Sequence, residues 1–209
     1  AAMHYESYQK LREKLPRVSF VPLSRETAGL RARKNREELE KIRRAIRIAT
    51  ESFLAASPRF KPGVKERTAA EFLECRMRRM GGDKPAFDSI VASGPRAALP
   101  HGAASETRMG PREMVVVDFG VRFQGYHSDE TKTLILGKPD AEQRRIYETV
   151  RRAQEKAMRT IRPGVSGRFI DGAAREVIAR AGYGKFFGHG TGHGVGLAVH
   201  EEPLISPRG

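Results

Sequence analysis

The chain has 209 residues, 39 % of them hydrophobic, enough to bury the core of one domain. No apolar run approaches the ~20 residues that cross a bilayer, the start of the chain has no apolar signal-like stretch, and a single cysteine, Cys75, has no partner for an internal disulfide, so a cytoplasmic, membrane-free setting is expected. The net charge of +14 raises nucleic-acid binding, but the basic residues are spread along the chain and the densest, Arg31 to Lys34 and Arg43-Arg44, adjoin Glu37, Glu38 and Glu40, so a solvated surface is expected instead.

Tyr5 to Leu15 has a short helical pattern, and Val18-Ser-Phe-Val-Pro22 reads as a strand. Residues 1–30 are expected to be the tail of an N-terminal domain or a linker, with the main domain spanning 31–209. From Glu37 to Leu54 the residues Leu39, Ile42, Ala45, Ile46, Ala49 and Phe53 recur at helical spacing. After the Lys61-Pro-Gly break a second helix covers Ala69 to Met80, stopped by Gly81-Gly82; Cys75 within it is expected to be buried. Strands are expected near Ser89–Ala92, Met114–Phe119 and Thr131–Leu136. Asp140 is placed to cap a long helix reaching about Ile161, with Ile146, Val150, Ala153 and Ala157 on one face. Phe169 to Ala181 forms the last helix, closed by Gly182. Helix pairs followed by strands, twice over, predict an α+β fold in which helices cover a curved antiparallel sheet.

Two constellations carry chemistry. Met114-Val-Val-Val-Asp118 runs into a Phe-Gln-Gly turn and returns through Tyr126-His-Ser-Asp129, a hairpin that brings two aspartates together. Close carboxylates repel unless a cation lies between them, and Asp118, after four apolar residues, is expected to be drawn inward, where a carboxylate needs a partner. Downstream, His189-Gly-Thr-Gly-His193-Gly-Val-Gly-Leu-Ala-Val-His200-Glu-Glu-Pro203 sets three imidazoles in a glycine-rich segment. Carboxylates with imidazole suit Mn²⁺, Co²⁺, Fe²⁺ or Zn²⁺. Solvated turn aspartates and loop histidines are the bland alternative.

The segment His189 to Glu201 resembles the signature of Xaa-Pro peptidases in the pita-bread metallopeptidase family, M24, which also includes methionine aminopeptidase. Phe87-Asp-Ser-Ile-Val-Ala-Ser-Gly-Pro95, Leu99-Pro-His-Gly102, Val117-Asp-Phe-Gly120 and Tyr126-His-Ser-Asp129 follow it in order and spacing. The resemblance implies a pita-bread fold, a site for two divalent metal ions (Mn, Co or Zn) with Asp118, Asp129 and His193 as ligands, and a pocket for a proline-containing peptide lined by His101, His189 and His200. It implies hydrolysis by a metal-activated hydroxide, with His200 or a metal stabilising the oxyanion. The pair of histidines in His189-Gly-Thr-Gly-His193 favours proline-directed enzymes over methionine aminopeptidase. A non-catalytic relative that binds peptide, protein or RNA is the reading from another class.

The resemblance also implies two glutamate ligands after the histidine segment, which residues up to Gly209 do not include. An internal repeat accounts for this. Pro62-Gly-Val64, Phe87 and Pro100-His101-Gly102 recur as Pro163-Gly-Val165, Phe186 and Val199-His200-Glu201. The counterpart of the aspartate hairpin would begin past the last residue, so the second repeat is expected to be incomplete. A cut chain and a natural short homologue both fit. Glu201 and Glu202 are the candidates to replace the glutamates, and an unpaired sheet edge would offer a route to a homodimer.

Overall fold

A computed structural model describes residues 3–100 and 102–209, the side chains of Ser24 and Arg25 excepted. Helices α1 (Tyr5–Lys14), α2 (Ser24–Ala32), α3 (Arg36–Ala56) and α4 (Glu66–Arg79) precede strands β1 (Lys84–Pro85), β2 (Ile90–Ser93), β3 (Met114–Phe119), β4 (Val121–Phe123), β5 (Tyr126–His127) and β6 (Glu130–Ile135). Helices α5 (Ala141–Thr160) and α6 (Gly167–Arg180) and strands β7 (Gly192–Gly194) and β8 (Glu201–Ile205) follow. The strands form three small sheets in the orders β1-β4-β5, β2-β3-β6 and β7-β8, every ladder antiparallel.

The main core joins α3 and α4 to β2, β3 and β4. Ile48, Leu73, Met77, Val91, Val115, Val117 and Phe119 are fully buried in it, and Phe53 stacks on Phe119 at 5.2 Å between ring centroids. On β3 burial alternates, which sends Val115, Val117 and Phe119 to the core and leaves Asp118 half-buried on the opposite face. The four apolar residues before Asp118 therefore do not draw it into the core. They belong to two faces of one strand.

A smaller core joins α5 to α6 through Ala153, Ala157, Ile170, Ala174 and Ile178. The pairs α3–α4 and α5–α6 are built alike. Asn35 caps α3 and Asp140 caps α5, each in a reciprocal box with the third helical residue, Glu38 or Gln143. At equal steps from these caps, Ile42, Ala45, Phe53 and Ala56 of α3 are buried, whereas Tyr147, Val150 and Met158 of α5 and Ile161 at its C-cap are exposed. The inward face expected at Ile146, Val150, Ala153 and Ala157 is thus partly wrong. Thr149, Ala153 and Ala157 are buried, Ile146 is half-buried and Val150 is exposed. The small side chains meet α6, and the larger apolar ones lie on the other flank.

Two further expectations fail. Val18 to Pro22 forms no strand: it has no paired neighbour, and Phe20 folds back edge-on against Tyr8 at 5.6 Å. Cys75 is exposed, because the stripe of α4 that enters the core runs through Ala69, Ala70, Leu73 and Met77. The expected boundary at residue 30 lies within α2, which packs against β8. Among the described residues no helix is long and apolar enough to cross a membrane.

Candidate metal centre

Strands β3 and β6 pair with Asp118 opposite Thr131, whose hydroxyl donates to the Asp118 carboxylate at 2.9 Å. The chain turns through β4 and β5 at Gln124-Gly125, both in left-handed backbone as a tight hairpin turn demands. At its base a side chain on Gly120 would fall on the carbonyl oxygen of Ser128, so only glycine allows the approach. That approach sets Asp118 and Asp129 at the same end of the sheet.

The glycine-rich segment is drawn to this end by His127. Its backbone N–H donates to the Gly196 carbonyl at 2.8 Å, and its Nδ1 lies 3.0 Å from the same oxygen. Strands β7 and β8 fold the segment back on itself, with a register shift between His193 and Gly194. There a side chain on Gly194 would collide with the backbone of Glu202. His193 Nε2 consequently lies 3.2 Å from Asp129 Oδ2. The His193 and His200 rings are 4.2 Å apart, tilted at 51°. Asp129, His193 and His200 each offer a ligand atom within 4.8 Å of the others.

This donor set fits a divalent cation. His193 Nδ1 lies 2.9 Å from the Gly194 carbonyl, which holds the proton on that nitrogen and leaves Nε2 facing the carboxylate. The hydrogen bond to Asp129 raises the His193 pKa above the usual imidazole range. Burial opposes this, and the Gly194 carbonyl and the charges of Asp129 and Asp118 reinforce it. A cation between Nε2 and the carboxylate would take the place of that proton. Asp118 lies close enough to act on His193 through its charge but outside the 4.8 Å group.

The structure thus gathers Asp129 and His193 from the expected ligands and adds His200, which the resemblance placed in the pocket. His189 lies apart: its exposed ring meets Phe187 edge-on at 4.8 Å. His101 lies outside the described residues. Of the adjacent glutamates, Glu201 is committed to other partners. Glu201 is engaged by Arg31, by Lys34 at 3.0 Å and by the Ala198 amide at 2.9 Å. Burial pushes its carboxyl up, but these donors outweigh it and hold the group below the usual carboxylate range. Glu202 accepts from the Leu204 amide at 3.0 Å. The latch from Arg31 and Lys34 and the anchoring role of His127 were not legible in the sequence. His127 stood inside the aspartate motif, but nothing in its neighbours marked its target.

Residues 40–209 match the model of metallopeptidase family M24. The chain is 40 % identical over 206 residues to the Xaa-Pro dipeptidase of Pyrococcus horikoshii, covering 99 % of this chain and 59 % of that protein. With the corresponding enzyme of Pyrococcus furiosus it shares 41 % identity over 204 residues, 98 % of this chain and 59 % of that one. Among solved structures, the X-Pro aminopeptidase of Thermotoga maritima superposes with a TM-score of 0.95 at 38 % identity, over 98 % of this chain and 58 % of that chain. The prolidase of Pyrococcus horikoshii gives 0.96 at 40 % identity, over 99 % and 60 %. The chain therefore spans about 59 % of the length of these curated relatives.

Proposed function

The chain belongs to metallopeptidase family M24 and has its pita-bread fold, and from that premise we propose that it carries part of an exopeptidase site that removes the residue preceding proline from Xaa-Pro peptides. The observation that supports this best is the approach of His193 Nε2 to Asp129, with His200 alongside. In this reading Asp118, Asp129 and His193 hold two divalent ions, Mn, Co or Zn. Thr131 orients the Asp118 carboxylate through its hydroxyl, and the Gly194 carbonyl fixes the His193 tautomer. His200, exposed beside His193, meets the scissile carbonyl, while His101 and His189 contact the peptide. The chemistry a divalent cation would supply here is Lewis acidity, which activates water and polarises the peptide carbonyl.

The names of the relatives favour proline-directed cleavage over removal of N-terminal methionine. The discriminating experiment offers Ala-Pro and Met-Ala to the protein with Mn²⁺ or Co²⁺. Hydrolysis of Ala-Pro, abolished by a chelator and by His193→Ala, is expected once the carboxylates that the resemblance places beyond the histidine segment are present. Preference for Met-Ala would overturn the substrate assignment. Residues 1–209 alone are expected to bind metal weakly and turn over little, because each missing carboxylate removes ligand charge from the site.

A further inference from the structure

Helix α6 carries a second polar cluster that points at the histidine segment from behind. Asp171 is almost fully buried, and Arg175 grips its carboxylate with two hydrogen bonds, Nε to Oδ2 at 2.9 Å and Nη2 to Oδ1 at 3.1 Å. Oδ1 also accepts from the Thr191 backbone N–H at 3.0 Å and from the Thr191 hydroxyl at 2.8 Å. The remaining reach of Arg175 goes to main-chain carbonyls, Phe187 and His189, both at 2.7 Å. Its guanidinium also lies over the Phe187 ring at 4.3 Å, the ring that meets His189 edge-on. Two side chains of one helix thus fix residues 187, 189 and 191.

Holding these three from α6 constrains the path that leads into His193. The segment needs such a hold. Glycines at 188, 190, 192, 194 and 196 make its backbone costly to order, and only three of its residues join a strand. Asp171 is buried and Arg175 half-buried, and such a pair is weak evidence for stability, since apolar residues of similar volume often serve as well. The same arrangement recurs in the first half of the molecule. Glu66 of α4, fully buried, accepts from the amide and hydroxyl of Ser93, from the amide and hydroxyl of Ser105, and from Arg96 at 3.2 Å. Arg96 in turn donates to the Ala103 carbonyl at 2.7 Å. Each half has a buried carboxylate on its second helix, a hydroxyl residue bound through both of its donors, and an arginine extending to at least one backbone carbonyl.

We propose that Asp171 and Arg175 are positioning residues that preset the segment from Phe187 to His193, so that His193 faces Asp129 before any cation binds. The inference rests on the metalloenzyme reading only in taking His193 as a ligand. The test uses the 209-residue protein and the variants Asp171→Asn, Thr191→Val and Thr191→Ser. Histidine ring NMR signals and amide exchange are read without metal, and Co²⁺ affinity is read separately. Asp171→Asn and Thr191→Val are expected to shift the His189 and His193 ring signals, to speed exchange of the amides at 188–193 at least tenfold, and to weaken Co²⁺ binding about 10- to 100-fold. Thr191→Ser keeps the hydroxyl and should restore all three. Unchanged ring signals and exchange in Asp171→Asn, with the α6 amides still protected, would overturn the proposal. If that variant does not fold, the same outcome in Thr191→Val overturns it. Shifted rings in a protein that binds no Co²⁺ in any form would leave the positioning role standing and refute the metal reading. Native-like affinity and exchange in the variants would do the reverse.

Discussion

His193 holds its proton more firmly than a solvated histidine, because the Asp129 carboxylate accepts a hydrogen bond from it and the Gly194 carbonyl holds the other nitrogen. A cation competes with that proton for Nε2, and its affinity must fall as pH drops through the raised pKa. Weakening should therefore begin above the ~6.5 of a free imidazole. A Co²⁺ titration repeated from pH 8 to pH 5 checks this, and a flat affinity would contradict it. Glu66 lies far from this chemistry and acts on stability. Burial pushes its carboxyl up, but the hydroxyls and amides of Ser105 and Ser93 outweigh burial and hold it below the usual range. Its contribution is complete above the ordinary glutamate pKa of ~4.3 and is lost as pH falls from there through the lower folded value. Glu66→Ala should cost about 3–5 kcal/mol in urea unfolding at pH 7, since it strands Arg96 and four donors. A loss below ~1 kcal/mol would show that the loop relaxes to satisfy them. The sequence announces Asp129 and His193 through their turn and glycine neighbours. It cannot announce the reach of Glu66 to Ser93, of Asp171 to Thr191 or of His127 to Gly196, across 27, 20 and 69 positions and fixed only by packing.

At the scale of elements, amphipathic periodicity and caps locate α3, α4, α5 and α6 within a few residues, because each signal lies inside the element it defines. Strands β7 and β8 carry glycines, glutamates and a proline with a single β-branched residue, Ile205, and pair through the return of the chain, so local propensity does not mark them. On α5 periodicity finds the helix but misplaces the covered face. Tyr147, Val150, Met158 and Ile161 form an exposed apolar strip where α3 is buried. Such a strip promotes self-association. Met158→Lys is expected to change unfolding stability by less than ~0.5 kcal/mol while shifting the protein toward monomer in sedimentation velocity. Unaltered self-association would place the contact elsewhere, with an unpaired sheet edge as the next candidate.

For the whole molecule, the repeat visible in the sequence becomes two helix pairs with matched caps and matched buried carboxylates, and the histidine segment of the second half docks on the aspartate hairpin of the first. The fold class and the family were therefore legible from motif order. The role of α2 was not: Arg31 and Lys34 reach Glu201 across 170 and 167 positions, a separation no spacing rule covers. In the proposed function, Asp129 and His193 hold a divalent cation. A crystal soaked in MnCl₂ and measured for anomalous scattering tests it directly. A peak is expected roughly 2.0–2.2 Å from an Asp129 carboxylate oxygen and from His193 Nε2, lost in His193→Ala. An anomalous peak elsewhere, or none at this site at millimolar Mn²⁺, would contradict it.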